Sequence, residues 1–466
     1  MPILIAIFAL VGLVWGTILA VRGNLLLACV AQLVVTSVFG VYFLQFDVGG
    51  ITLSLDRLGI VGLVTAFAIQ WKLGKVQIRP WMTLDTMMAV FFGVLFINTF
   101  SHDFRNIAPD AVPPVQHLIN GYLIPLAIYI VARNIKYDEK QLDWFLIAMT
   151  VFGVYLAITG IFEGLGLYSF VFPRYIADPK VGLHFGRARG PMVQSISYGV
   201  YLCGCMLAPC LLWHRMNSKF RWLLLGLVPM FVAAIFFTKT RTVWMGGGLC
   251  LLAGVFLTMQ GKARTVMITG MLACAMLAVV GKSDAIMGLK REGSAEDTKR
   301  SVSMRASFTY VSWEMFLDRP ILGHGFSQFK TAKLPYLADR DVDLILESIR
   351  KYDHHNTFLS VLCDLGLLGF VPFLGMYFLW LRNGWRMARS NSPPWAKDVG
   401  TLGVGAVLIA FCQMVGHEIT FMPYEQSLIF LVAGMNAALV SDFGLVSNTS
   451  NTPSPRSWQP QAALRG

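Results

Sequence analysis

Three short stretches of this 466-residue chain hold the residue types that chemistry needs. Gly186-Arg187-Ala188-Arg189-Gly190-Pro191 sets two arginines two positions apart. Thr238-Lys239-Thr240-Arg241-Thr242 is a basic turn between apolar runs, and Asp353-His354-His355-Asn356-Thr357 precedes another such run. Arginine presents a planar fork of donors that matches phosphate oxygens and stays charged at any relevant pH. Two such forks are suited to stabilise a departing diphosphate with no metal ion. A histidine of ordinary pKa, about 6.5, is suited to take a proton from an attacking hydroxyl near neutrality. Each cluster also has a purely structural reading. Arginines at a membrane boundary snorkel to lipid headgroups, and the histidine pair can merely open a helix whose free donors Asp353 or Asn356 satisfies. His117 and Asp364 read as buried structural polar groups. His417 and Glu418 read as interfacial anchors or as the lining of an acceptor groove.

The elements that must carry these clusters are membrane helices. Only 14% of residues are charged, against roughly 25% in a soluble domain, and 56% are hydrophobic with a mean hydropathy of +0.60. A soluble enzyme is excluded. Apolar stretches near the roughly 20 residues that a bilayer requires fall at 3–21, 25–46, 57–71, 81–100, 115–132, 144–163, 191–213, 222–237, 242–260, 265–281, 355–381, 399–417 and 426–441. The expected fold is an all-α polytopic integral membrane protein of 12 or 13 transmembrane helices. Its expected organisation is an N-terminal bundle (1–281), a large outward loop (282–354), C-terminal membrane helices (355–441) and a polar, disordered tail (442–466). The first stretch lacks a basic leader and an A-x-A-like cleavage site, so it reads as a retained helix and not a signal peptide. Within the large loop, Met304, Phe308, Val311, Met315 and Phe316 recur at helical spacing and predict an amphipathic helix over 303–318, preceded by a flexible stretch at 282–300. All eight cysteines lie in apolar stretches, where they act as small hydrophobes, so no disulfide framework is expected. With no Walker loop or H-E-x-x-H pattern, neither a metal nor a cofactor is called for.

Charge distribution orients the bundle. Loops at 72–79, 133–140, 215–221, 262–264 and 382–397 are rich in Lys and Arg and are expected to face the cytoplasm with the tail. Those segments, Arg22 and the tail, counted with the adjoining Asp85, Asp143 and Asp398, hold the whole excess of +12. The opposite side is neutral overall, yet basic locally at 164–190 and 238–241. Two concentrated basic spots suit a small diphosphate better than a polyanion, and no nucleic-acid partner is implied.

Taken together, the motifs resemble the O-antigen ligase and O-antigen polymerase superfamily of bacterial membrane glycosyltransferases. Arg187-Ala188-Arg189-Gly190-Pro191 is similar to the family's R-x-x-G-P type opening of a span, and Thr240-Arg241-Thr242 to its S-R turn. Asp318 through Phe326 is similar to its P-x-x-G-x-G segment. His355-Asn356-Thr357-Phe358-Leu359, followed by Leu365 through Gly369, is similar to its H-N-x-x-L helix with a later G-x-x-G. The resemblance implies a GT-C-like membrane fold with a partly helical outer cap, in the bacterial inner membrane with its active site facing the periplasm. It implies an undecaprenyl-diphosphate-linked glycan as donor and a glycan, lipid or protein hydroxyl as acceptor. Carried over, Arg187 and Arg241 would hold the diphosphate, His355 would activate the acceptor, and Asn356 would orient the histidine or a phosphate oxygen. Arg189, Arg305 and His354 would be further substrate contacts. Either His354 or His355 can be the base, and the H-N-x-x-L register favours His355. Ligases and polymerases share these motifs. The rival class is a transporter of inorganic carbon or a small solute, which would require paired ionisable residues and broken helices near the bilayer midplane.

Overall fold

The computed structural model describes residues 16–445 apart from 19, 41, 49–50, 106–111, 282–294 and 340–341. The expected first span falls almost wholly outside the described residues. So do most of the expected flexible stretch and residues 446–466 of the expected tail.

Helix α1 (Leu25–Val38) leads into a hairpin of β1 (Gln45–Val48) and β2 (Ile51–Ser54). There follow α2 (Leu55–Lys72), α3 (Thr83–Ser101), α4 (Pro114–Asn134), α5 (Glu139–Gly164), α6 (Ser195–Leu212), α7 (Ser218–Phe237), α8 (Arg241–Thr258) and α9 (Gly261–Gly281). Helix α10 (Ala295–Asp318) belongs to the outer segment, and α11 (Thr357–Arg389), α12 (Pro394–Gly416) and α13 (Pro423–Asp442) complete the bundle. Eight of these, α3 to α8 with α11 and α12, are long and apolar enough to cross a membrane. The chain is thus α-helical apart from the hairpin and has the build of a polytopic membrane protein. Local signals place the helix starts: Asn24 accepts from the N–H groups of Leu26 and Leu27, and Asp138 accepts from Gln141 at 2.7 Å.

Two expectations need correction. The stretch 25–46 is not one helix: α1 stops at Val38, and residues 45–54 pair as an antiparallel hairpin with Gln45 opposite Ser54. The run is apolar, but its aromatic and β-branched residues flank Gly49-Gly50, which is a hairpin signal. Helix α10 begins at Ala295, not Ser303. Its first two turns, Ala295-Glu296-Asp297-Thr298-Lys299-Arg300, are helix formers without an apolar face, so periodicity does not detect them.

Helix α13 is the axis of the bundle, with every residue from Pro423 to Val440 buried. Because its whole circumference faces protein, it can carry polar groups that a lipid-facing helix cannot. The Tyr377 hydroxyl donates to Gln426 Oε1 at 2.9 Å, and Asn436 Nδ2 donates to the Val399 carbonyl at 2.9 Å. Those polar residues are why α13 is less apolar than the eight helices around it. Gly434 lets α4 approach closely, since a β-carbon there would stand 2.8 Å from the Tyr129 carbonyl oxygen.

At one end of the bundle the basic loops meet. Arg133 bonds Asp85 at 2.5 Å, Arg79 bonds Asp442 at 2.7 Å and the Arg133 carbonyl, and Arg215 reaches both Asp143 and Asp398. The alternate loops that charge assigned to a common face therefore share one. The opposite end carries α10, whose Phe308, Val311 and Met315 form a small core with Phe329, Leu337, Leu346, Ile349 and Cys363 of α11. The amphipathic periodicity thus marks the face that packs.

Helix α11 is two helical pieces joined at Gly366, where φ is 61° and ψ is −165°. The break is filled by backbone from the outer segment. Leu367 donates to the Pro320 carbonyl at 2.8 Å and Leu368 to Ile321 at 3.1 Å, while His324 and Gly325 donate to the carbonyls of Cys363 and Asp364 at 2.9 and 3.0 Å. Only glycine suits Gly366: its dihedrals are closed to other residues, and a β-carbon would collide with the Ile321 carbonyl. Gly366→Ala is expected to lower stability by at least about 2 kcal/mol, read as a drop in melting temperature in detergent. Gly248→Ala, in α8 with open space where the β-carbon would sit, is expected to leave it unchanged or slightly raised.

Candidate functional site

The first two clusters form one surface. Ala188 donates to the Phe237 carbonyl at 2.9 Å, Lys239 Nζ to the Gly186 carbonyl at 3.1 Å, and Thr240 Oγ1 to Ser195 Oγ at 3.3 Å. The tight turn before α8 puts Lys239 at φ 47° and leaves Lys239 and Arg241 exposed, with Arg187 half-buried beside them. Arg241 is the first residue of α8, and its cap residue Thr240 spends its hydroxyl on Thr238 and Ser195. The N–H groups of that first turn thus have no side-chain cap, and an uncapped helix N-terminus attracts an anion through its donors and dipole.

Arg189 has a different position. It is fully buried, its two terminal nitrogens donate to the carbonyls of Ile176, Asp178, Val181 and Leu183, and its guanidinium lies 4.8 Å from the Phe185 ring centroid. Glu163 at the end of α5 accepts the N–H groups of Arg189 and Gly190 at 3.0 and 2.7 Å. In this position Arg189 binds the 176–183 loop to the bundle, and its terminal nitrogens are occupied by that loop.

The third cluster opens α11. Asn356 caps the helix, accepting from Leu359 at 3.0 Å, while its Nδ2 donates to the Val415 carbonyl at 2.8 Å. Thr357 Oγ1 donates to the His417 carbonyl and accepts from Ile419. The two histidines face opposite ways. His354 is buried, with Nε2 3.2 Å from Asp364 Oδ1 and its ring against Phe329, whereas His355 is exposed and stacks on Phe308 with centroids 4.7 Å apart. His355 Nδ1 lies 3.1 Å from the Asp353 carbonyl oxygen. A carbonyl only accepts, so Nδ1 carries the proton and Nε2 is the unprotonated nitrogen of the neutral ring. Packing against the outer segment lowers the pKa of His355 below the ordinary histidine value, and the charge of Arg305, exposed on α10, adds a smaller push the same way.

Helix α12 links the two halves of the site. Thr242 Oγ1 on α8 donates to Gln413 Oε1 at 2.8 Å, and the residues just beyond Gln413 are those that hold Asn356 and Thr357. All three clusters therefore lie at one end of the bundle. His117 joins them from α4, with Nδ1 2.8 Å from Ser327 Oγ and its ring stacked on Phe421 at 4.1 Å. Asp364 also accepts from the Ser327 N–H at 2.8 Å. Both have the buried structural roles expected of them. Glu418 sits below the corner with Thr420 on one carboxylate oxygen, and burial raises its pKa.

Lys333 was not among the sequence candidates. It is fully buried, donates to the carbonyls of Ile349 and Tyr352, and so fixes the strand of chain that leads to His354. Burial pulls its pKa down to about 8. A lone lysine in a polar loop gives no sequence signal for such a role. His354, Cys363 and Asp364 bring donor types that suit a cation within 4.8 Å of one another. His354 and Asp364 already satisfy each other, Asp364 also holds Ser327, and Cys363 Sγ rests 3.8 Å from Met315 Sδ in the small outer core.

Residues 225–374 match the family described as O-antigen ligase. The matched region runs from α7 through the 238–242 turn and the Pro320–Gly325 segment to the broken half of α11. It supports assignment of the chain to that superfamily and a transferase-like role in glycan transfer. No curated protein matches the chain.

The Arg189 clamp has a direct consequence. Arg189→Ala leaves four carbonyls without their partner and removes the charge that faces the buried Glu163 carboxylate at 4.0 Å, so it is expected to cost about 3–5 kcal/mol. Limited proteolysis should then cut within 174–187 at protease levels that leave the parent intact, whereas an unchanged cleavage pattern would show that the loop does not depend on the clamp.

Proposed function

We propose that this chain is a membrane glycosyltransferase that moves or polymerises a glycan from an undecaprenyl-diphosphate carrier onto an acceptor hydroxyl. The reaction takes place at the periplasmic face of the bacterial inner membrane and needs no metal ion. The observation that carries the reading is the geometry of one end of the bundle. A neutral imidazole with its basic nitrogen on the exposed ring and an uncapped helix N-terminus with Arg241, Lys239 and Arg187 are both tied to the end of α12 at residues 413–417.

The step balances with these groups alone. His355 Nε2 takes the acceptor proton as the oxygen forms its bond to the anomeric carbon. The bond from that carbon to the diphosphate oxygen breaks, and the electron pair leaves with the diphosphate. Arg187 and Arg241 stabilise that charge with forked donors, and the first-turn N–H groups of α8 add theirs. Because the pKa of His355 is lowered, the ring is neutral, and so competent as a base, at physiological pH. Arg305 supplies part of that lowering and therefore tunes the base. Asn356 orients the histidine through the helix it caps. Membrane lipids, the lipid-linked donor and the hydroxyl acceptor are the partners. The histidine and arginine clusters of the candidate site gather at one end of the bundle, which favours transfer over a solute pathway.

Vesicles carrying the protein, a lipid-linked glycan and an acceptor test this reading. His355→Ala is expected to lower the transfer rate by about 10²-fold or more while the protein stays folded; full activity would overturn the base assignment. Activity in the parent should rise with pH through a value below about 6.5 and then level off. Arg305→Gln removes a charge that disfavours the imidazolium, so it should move that limb toward higher pH. Arg241→Lys keeps the charge and loses the fork, and a fall of about tenfold is expected, with chelators of divalent ions having no effect on the parent.

A further inference from the structure

The turn from Arg319 to Gly325 belongs by sequence to the outer segment, yet two membrane helices measure it into the bilayer. On α3, Asn98 Nδ2 holds the Leu322 carbonyl at 3.1 Å and Asn98 Oδ1 accepts from Phe326 at 2.6 Å. Asn98 lies 13 residues beyond Asp85, which sits in the charged network at the inner end of the bundle, and that distance is about 20 Å of helix. On α11, Leu367 and Leu368 bond to Pro320 and Ile321. Leu367 lies 19 residues from Arg386 near the inner end, about 29 Å of helix. The hydrocarbon slab is about 30 Å thick, so both rulers place the turn in its outermost third.

Two further features fit that depth. Ile321 and Leu322 are 63% and 62% exposed, and they stand next to exposed Leu367, Leu368 and Val371 on α11 and exposed Ile97 on α3. The apolar patch is thus continuous with the lipid-facing sides of two spans. Most of the turn's backbone is also bonded within the protein, which lowers the cost of holding non-helical chain close to hydrocarbon. The carbonyls of Pro320, Ile321 and Leu322 accept from α11 and Asn98. The N–H groups from Gly323 to Ser327 donate to Arg319, Cys363, Asp364 and Asn98.

We propose that residues 319–325 are a re-entrant turn that inserts Ile321 and Leu322 among the acyl chains of the outer leaflet and so anchors the outer segment to the bilayer. Arg319 and Asp318, both exposed, mark the headgroup level above it. The inference concerns lipid contact and does not rest on the reaction proposed above.

Spin labels test it in full-length protein reconstituted in phosphatidylcholine vesicles. Cysteine is placed singly at Ile321, Leu322, Val371 and Lys351 in a Cys210→Ala background, which itself reports any label on native cysteines. Labels at 321 and 322 are expected to match 371, with frequent collisions with oxygen and several-fold fewer with a water-soluble nickel chelate than at 351. If they match 351, the turn is in water and the proposal falls. If they are immobilised and shielded from both reagents, a protein surface covers the patch and the lipid assignment falls as well.

Discussion

Chain that enters hydrocarbon must bond every backbone N–H and C=O within the protein, because no water is there to do so. Helix α11 gives up its own bonding at Gly366, and the structure around the site follows from how that loss is made good. The turn 320–325 supplies the missing partners in a two-way exchange with residues 363–368, while Asn98 of α3 closes the other side. The approach is backbone to backbone. Gly323 and Gly325 adopt positive φ, and side chains at Gly323 or Gly366 would occupy the space of the opposing main chain. Gly323 and Gly366, far apart in sequence, therefore lie on the two faces of one joint.

The joint fixes the orientation of the histidines. Breaking the helix lets the piece 357–365 leave the direction of the membrane-spanning piece and pack under α10 through Cys363. Asp364, one residue further on, then holds Ser327 on one oxygen and His354 on the other. With His354 drawn inward and Asn356 committed to the helix cap, His355 between them is left on the outer side against Phe308. Its tautomer is set by the Asp353 carbonyl and its basicity by the packing and by Arg305. The exposed imidazole is thus held by a buried neighbour, which accounts for a doubled histidine.

The spans and the outer amphipathic helix were legible in the sequence because burial in lipid or against a core leaves a periodic record of apolar residues. The resemblance of Arg241, Pro320 through Gly325 and His355-Asn356 to one family was legible from residue types in order, and the matched region covers all three. The joint was not legible, because backbone hydrogen bonds leave no side-chain signature beyond a few glycines. The hairpin at 45–54 was hidden by apolar residues that also suit a helix. Helix α13 carries Glu425, Gln426 and Asn436 in the protein interior, and their burial has no counterpart in residue type.

The two arginines of Arg187-Ala188-Arg189 repeat the pattern of the histidines. Residue type alone does not separate half-buried Arg187 from fully buried Arg189, which holds four carbonyls, since both carry the same forked donors. What separates them is desolvation. A buried arginine must have most of its donors taken in the folded chain, as the terminal nitrogens of Arg189 are, because an unpaired charge at that depth costs several kcal/mol. An arginine kept for a ligand has to remain where water can serve it until the ligand arrives, which is the condition of exposed Arg241. In both doubled motifs one member secures the scaffold, and its burial holds in place the surface that presents the other.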